Sequence, residues 1–250
     1  MIDSIFRCLN NKGKGKKMRR IIILINIIIL IISLVFIIDY LINSNNAKSV
    51  YQEISQLYYR NKESRGHGKN IEELKSINND IVAWIYIPGT NINYPIVQTR
   101  DNIYYLDHDI HGNSSKHGSI FMDYRNNVSE DENIIIYGHH MRDGSMFGGL
   151  KKYKSEACYR DNKYIYLDTD KGRFKYRVFS VYITEGNTDY LKTSFNSTDE
   201  FLLYLEDVSN KSLFKDNNKF NGQEKLITLS TCSYEYKDAR MVVHGYLVLH

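Results

Sequence analysis

Two residues able to make and hold an acyl group lie eight positions apart near the end of the chain, Cys232 and Arg240. Residues 226–231 alternate and are rich in β-branched side chains, which reads as a strand, and residues 241–249 read as a second. The short polar link between them predicts an antiparallel pair, and a turn centred on Tyr236 sets Cys232 opposite Arg240. Side chains alternate along a strand, so Ser230 and Cys232 share one face while Ile227, Leu229 and Thr231 share the other. Burial of the aliphatic face leaves thiol and guanidinium together on the outer one. A sulfur nucleophile beside a permanent cation suits acyl transfer, because the cation favours thiolate and stabilises a developing oxyanion. A lone strand cysteine is more commonly a small buried hydrophobe, however, and catalysis needs a third group.

That group is an acid/base able to protonate a leaving amine. Of eight histidines, His139 and His140 follow a strong strand pattern, Ile134-Ile135-Ile136-Tyr137-Gly138. Gly138 lets the backbone leave the sheet, which exposes the next residue at a rim. His139 is a reasonable base; spacing alone leaves His140, His108, His111, His117 and His244 open. Metal-ligand types occur at His139-His140 and around Asp107, His108 and Asp109, without the spacing of a metal motif, and there is no glycine-rich phosphate loop. No metal and no organic cofactor is expected.

The elements that must position these residues are mostly strands. Strand patterns cover 81–87, 92–98, 117–123, 133–137 and 164–168, then 173–184 across an Asp170-Lys171-Gly172 turn, then the terminal pair. Pro95 predicts an edge or a bulge. Helical spacing covers 47–61, through Val50, Ile54, Leu57 and Tyr58, and 71–77 behind a capping-box-like Asn70 and Glu73. Residues 65–69 read as a loop, 101–107 as a short helix and 146–153 as a helical turn. Thr198 or Asp199 caps a helix over 200–208, with Phe201, Leu202 and Leu205 on one face. Eight strands without βαβ alternation predict a mainly β fold, a barrel with inserted helices.

The 250 residues suffice for one sizeable domain. Residues 21–38 are apolar except Asn26 and Ser33, and residues 40–42 extend the run, long enough to span a bilayer as a helix. Seven basic residues against Asp3 precede it, which places that flank in the cytoplasm and the bulk of the chain outside. A cleaved signal peptide is the competing reading, weakened by the length of the run and the lack of a small-x-small cleavage site. The formal charge is +4, and the tail accounts for +6 of it, so the remainder is net acidic and offers no nucleic-acid footprint. The expected organisation is a basic tail at 1–20, an anchor at 21–42, a helical spacer at 43–79 and a barrel at 80–250. Cys158 and Cys232 form the one disulfide pairing open outside the membrane, and their spacing does not support it.

Thr228-Leu229-Ser230-Thr231-Cys232 resembles the T-L-x-T-C signature of sortases, the Gram-positive cell-surface transpeptidases, and Ala239-Arg240-Met241-Val242-Val243-His244-Gly245 continues the match. Tyr137-Gly138-His139-His140-Met141 is similar to the family's histidine motif, in which the residue after Gly is catalytic; the resemblance selects His139. Asn93-Tyr94-Pro95-Ile96-Val97-Gln98 and Gly118-Ser119-Ile120-Phe121-Met122-Asp123-Tyr124-Arg125 resemble the class B branch. The absence of an Asp-Pro pair separates the chain from pilin-polymerising sortases, and the long stretch 184–221 separates it from class A.

The resemblance covers about 71–250 and implies an eight-stranded sortase barrel with N-terminal helices and an inserted helix before the last two strands. It implies Cys232 as nucleophile, His139 as acid/base and Arg240 as oxyanion and substrate support. Ser230 and Thr231 of the cysteine motif, Asn102 and Leu106, and Tyr190 and Leu191 are implied as substrate contacts. The implied partners are exported proteins bearing a C-terminal sorting signal and an amino group from a peptidoglycan cross-bridge or its lipid-linked precursor, with membrane lipid held through residues 21–42. A hydrolytic cysteine peptidase and a non-catalytic binding barrel are the rival readings. Papain-like enzymes place Cys early at a helix start and His late, the reverse of the order here.

Overall fold

The computed structural model describes the backbone of residues 2–65, 67–186, 189–232 and 238–248, with side chains for 16–60, 70–186, 190–231 and 238–248. Among them, eight strands close on themselves: β1 (Ile81–Tyr86), β2 (Asn93–Val97), β3 (Ile120–Met122), β4 (Asn133–Tyr137), β5 (Tyr164–Thr169), β6 (Gly172–Glu185), β7 (Leu226–Cys232) and β8 (Ala239–Leu247). Their order around the barrel is β1-β2-β3-β4-β7-β8-β6-β5, and β5 returns to β1. The β2–β3 and β4–β7 pairs are parallel and the rest antiparallel. A parallel pair requires a crossover connection; the β4–β7 crossover carries β5, β6 and the inserted helix described below.

Inward residues at period two fill the barrel, among them Ile85, Ile96, Ile136, Leu229 and Val243, all fully buried. The expected β7 faces hold: Ile227 and Leu229 enter this core. The outer face differs from the expectation of an open surface. Leu226 and Val242 belong to a second apolar cluster with Phe179, Tyr182, Tyr204, Leu205 and Val208, built under α4 (Thr198–Lys211). Each such side chain contributes about 2 kcal/mol by leaving water, so the inserted segment covers most of that face.

Pro95 lies opposite Trp84 in β2, within a closed barrel and not on an edge. The β3 ladder begins only at Ile96, so the missing N–H of Pro95 costs no bond there. Strand β3 is shorter than the expected 117–123 because Gly118 sits at φ +56°, outside any strand conformation.

The helices depart further. α4 starts two residues earlier than 200–208, and its cap is Ser197 rather than Thr198 or Asp199: the Ser197 hydroxyl accepts from Glu200 N at 3.1 Å, while the Glu200 carboxylate accepts from Asn196 N at 2.9 Å. α2 runs His67–Leu74, so Asn70 is inside it and not its cap; the Asn70 amide instead donates to the Tyr58 carbonyl at 3.3 Å. The loop expected over 65–69 is replaced by helix at both ends, with Gly66 outside the described residues. Residues 101–107 give only a 3₁₀ turn, Tyr104–Leu106, and 146–153 a 3₁₀ segment, Phe147–Lys154. A short helix, α3 (Glu156–Asp161), lacked a periodic signal because Tyr159 is its one buried residue.

The chain divides into two compact units, Met1–Asn46 and Ala47–His250. Helix α1 spans Ile2–Arg65. In the first unit its apolar run is solvent-exposed, and it is long and apolar enough to cross a membrane. In the second unit Tyr51, Ile54 and Tyr58 pack against the barrel. Tyr58 stacks on Trp84 with ring centroids 4.1 Å apart, and its hydroxyl donates to Asp168, itself held by Arg173 at 2.6 Å.

Candidate active site

The backbone register alone lines up the three expected reacting groups. Tyr137 on β4 faces Ser230 on the parallel β7, and Gly138 N bonds Ser230 O at 3.3 Å. Two residues further along, His139 just past β4 and Cys232 at the last position of β7 therefore lie at the same end of the sheet. On β7's other side Cys232 pairs with Arg240 of β8, the register expected from the sequence. Neighbouring strands stand about 4.8 Å apart, so the three Cα positions span on the order of 10 Å across β4, β7 and β8. The Cys232 side chain, and residues 233–237 with the turn expected at Tyr236, lie outside the described residues.

A groove of 290 Å³ opens at this end. It is lined by His139 and Arg240 and by all six residues implied as substrate contacts: Asn102, Leu106, Tyr190, Leu191, Ser230 and Thr231. The β2–β3 connection supplies Asn102 and Leu106, and the β6–α4 connection supplies Tyr190 and Leu191. A larger depression, 720 Å³, lies between Asn78 and Gly112; of the candidate residues, His111 alone lines it.

Each residue is held differently. His139 is half-buried, and its Nε2 lies 2.5 Å from the Leu106 carbonyl. A carbonyl only accepts, so Nε2 carries a proton and Nδ1 is the ring nitrogen left to exchange one with other groups. Gly118 makes this approach possible: a Cβ there would come 2.6 Å from the Leu106 and Tyr105 carbonyls and 3.0 Å from His139 Cδ2. Its positive φ also disfavours any other residue. Arg240 Nη1 donates to the Asp238 and Ala239 carbonyls at 3.3 and 3.2 Å, which steadies the guanidinium at the groove. Ser230 and Thr231 are both buried, with the Ser230 hydroxyl 2.9 Å from that of Tyr190. Asn102 accepts from Tyr124 N at 3.0 Å and donates to Asp123 at 3.1 Å, leaving one lone pair and one N–H.

The other histidines left open by spacing do not line the groove. His108 stacks on Tyr104 and contacts Asp107, His111 is exposed in a loop, and His140 and His117 are buried. Burial lowers the pKa of His117. His244 is fully buried beneath α4. Thr228 donates to Asn133 at 2.7 Å, so its oxygen accepts from His244 Nδ1 at 2.8 Å, and Tyr182 donates to Nε2 at 2.9 Å. The chain of bonds continues from Asn133 through Tyr204 to the Tyr190 carbonyl, at 3.3 and 2.9 Å.

Burial depresses the His244 pKa to about 3. The unfolded chain therefore takes a proton that the folded one refuses, and the stability held by neutral His244 is complete above pH ~6.5 and lost as pH falls toward 3. Each pH unit in that window removes up to about 1.4 kcal/mol. Asp123 and Asp216, whose pKa values are lowered, act in the same direction only below about pH 4. Urea unfolding of the full chain in detergent at pH 6.5 and 5.0 should show a falling midpoint, with a shallower fall in His244→Gln. Equal falls in both proteins would locate the titration elsewhere.

Nothing local singles out Gly118, Asp123 or Arg125 within their shared motif; their roles come from contacts distant in the chain. Asp123 is fully buried, and although burial raises its pKa, hydrogen bonds from Arg125 and Tyr137 and the Arg125 charge hold it below the usual range.

This arrangement has known counterparts. The Sortase domain family matches residues 85–248. Sortase B of Listeria monocytogenes is 39% identical over 207 residues, covering 82% of this chain and 83% of that protein. The Staphylococcus aureus sortase B–substrate complex superposes with a TM-score of 0.78 at 31% identity, over 83% of this chain and 98% of the other. Sortase B from B. anthracis in complex with AAEK1 gives 0.75 at 38% identity, over 84% and 100%. Shared sequence and a shared closed barrel agree, and the chain belongs to the sortase family, in its class B branch.

Proposed function

We propose that this chain is a membrane-anchored cysteine transpeptidase that cleaves the C-terminal sorting signal of exported proteins and joins them to a peptidoglycan amino group. Residues 1–20 form the cytoplasmic tail, 21–42 the anchor, 43–79 the spacer and N-terminal helices, and 80–250 the catalytic barrel outside the cell. Cys232 passes its thiol proton to His139 Nδ1, and the resulting thiolate attacks the carbonyl before the scissile bond. A C–S bond forms, the C–N bond breaks, and His139 gives its proton to the departing amine. The thioester keeps the acyl group reactive toward a second amine, from a cross-bridge or its lipid-linked precursor. His139 takes a proton from that amine as its nitrogen displaces the sulfur. Arg240 supports the oxyanion in both steps.

The observation that carries this reading is the convergence of His139, Arg240 and six further expected contacts on one groove, with Cys232 in register between the two. The substrate complex of the Staphylococcus aureus relative is consistent with a peptide occupant.

The test separates transfer from hydrolysis. With a peptide bearing a sorting signal, found by screening a peptide library, rising concentrations of an oligoglycine or diaminopimelate amine should shift the product from free acid to amide. Free acid as the sole product at saturating amine would assign the chain to the hydrolytic peptidases.

A further inference from the structure

Asp123, just past β3, gathers more donors than a carboxylate usually holds. Its Oδ1 accepts from Arg125 N at 3.0 Å and Arg125 Nε at 2.9 Å. Its Oδ2 accepts from Arg125 Nη2 at 2.8 Å, the Tyr137 hydroxyl at 2.9 Å and Asn102 Nδ2 at 3.1 Å. The same Arg125 Nη2 carries a second hydrogen and meets the Leu191 carbonyl at 3.1 Å, 66 residues away in sequence. One ion pair therefore touches both connections that line the groove, at Asn102 and at Leu191, and also Tyr137, two residues before His139.

We propose that Asp123 and Arg125 are a positioning pair that fixes the spacing between the two groove-lining connections and so sets how tightly the peptide is held. Neither residue needs to meet the reacting atoms. The guanidinium is suited to the task because its rigid fork serves a carboxylate through Nε and Nη2 and still has an N–H for a carbonyl. A lysine ammonium can pair with Asp123 but, as a single point, cannot also keep the planar bridge to Leu191. Loss of that bridge lets the β6–α4 connection drift while the buried charge stays paired. The effect falls on ground-state binding, whereas losing a catalytic group would fall on turnover. This inference rests on the transpeptidase reading for its peptide, though not for its geometry.

Arg125→Lys in the full chain in detergent separates the two. KM for the sorting peptide should rise about five- to tenfold with kcat within about twofold. The Kd of the same peptide, measured by anisotropy in the Cys232→Ala background, should rise by the same factor. Without peptide, amide exchange over 190–193 should quicken while that of β5 and β6 stays unchanged. Arg125→Met, which removes both arms, should raise KM at least as far, and should it fail to fold, Arg125→Lys alone decides. Unchanged KM and unchanged exchange in Arg125→Lys would overturn the proposal, as would a loss confined to kcat. Quickened exchange in Arg125→Lys together with a wild-type protein that processes no peptide would sink the transpeptidase reading and leave the positioning pair standing.

Discussion

Cys232→Ala is expected to abolish cleavage of a sorting peptide, with kcat/KM falling by about a thousandfold or more. That corresponds to roughly 4 kcal/mol or more of lost transition-state stabilisation. Without the sulfur there is no acyl carrier, and water attack on an amide held beside His139 is a far slower reaction. The fold should survive. β7 is fixed by its ladders to β4 and β8 and by the burial of Leu226, Ile227 and Leu229, none of which the substitution touches. The thermal midpoint should therefore shift by no more than a few degrees. Mass spectrometry supplies the second readout: the wild-type chain gains the mass of the acyl fragment when peptide is in excess, and the variant gains none. Cleavage retained in a folded variant would return Cys232 to the role of a small structural side chain.

The sequence was legible where a period or a pairing rule operates. Alternation located all eight strands to within a few residues, and β4 came out with its expected bounds, 133–137. The Cys232–Arg240 register followed from the length of one polar link. What could not be read depends on neighbours distant in the chain. Asn70 looks like a helix cap in isolation, but its amide is engaged by Tyr58 of another helix. Ser197 is not legible as the cap because Thr198 and Asp199 beside it have the same local chemistry, and only the bond from Glu200 N distinguishes them. The outer face of β7 read as open because the strand pattern cannot reveal what α4 lays over it. His244 shows the same limit: spacing left it a candidate base, and its burial between Thr228 and Tyr182 makes it a structural junction. Selection of His139 over its neighbours came from family resemblance; among the described histidines, His139 is the one that lines the groove.

Arg240→Lys should be nearly as damaging as loss of the thiol, although it conserves charge. Arg240 already uses Nη1 to hold two backbone carbonyls, at Asp238 and Ala239, and its planar fork has further N–H groups on Nη2 and Nε. In the proposed mechanism, positioning and oxyanion support come from different edges of one rigid group. A lysine has a single ammonium at the end of a flexible stem; turned toward those carbonyls it leaves the oxyanion without a fixed partner, and turned toward the oxyanion it loses its anchor. Removing one preorganised donor to a developing oxyanion costs about 3–4 kcal/mol, which sets the expected fall in kcat/KM at about a hundred- to a thousandfold. Because the charge on oxygen exists only as the tetrahedral intermediate forms, the fall should appear in kcat, with KM changed by less than about threefold. Pre-steady-state acylation measured by quenched mass spectrometry should slow by the same factor as kcat. A rise in KM at normal kcat would move Arg240 from oxyanion support to ground-state peptide binding, and near-normal turnover would remove it from the mechanism.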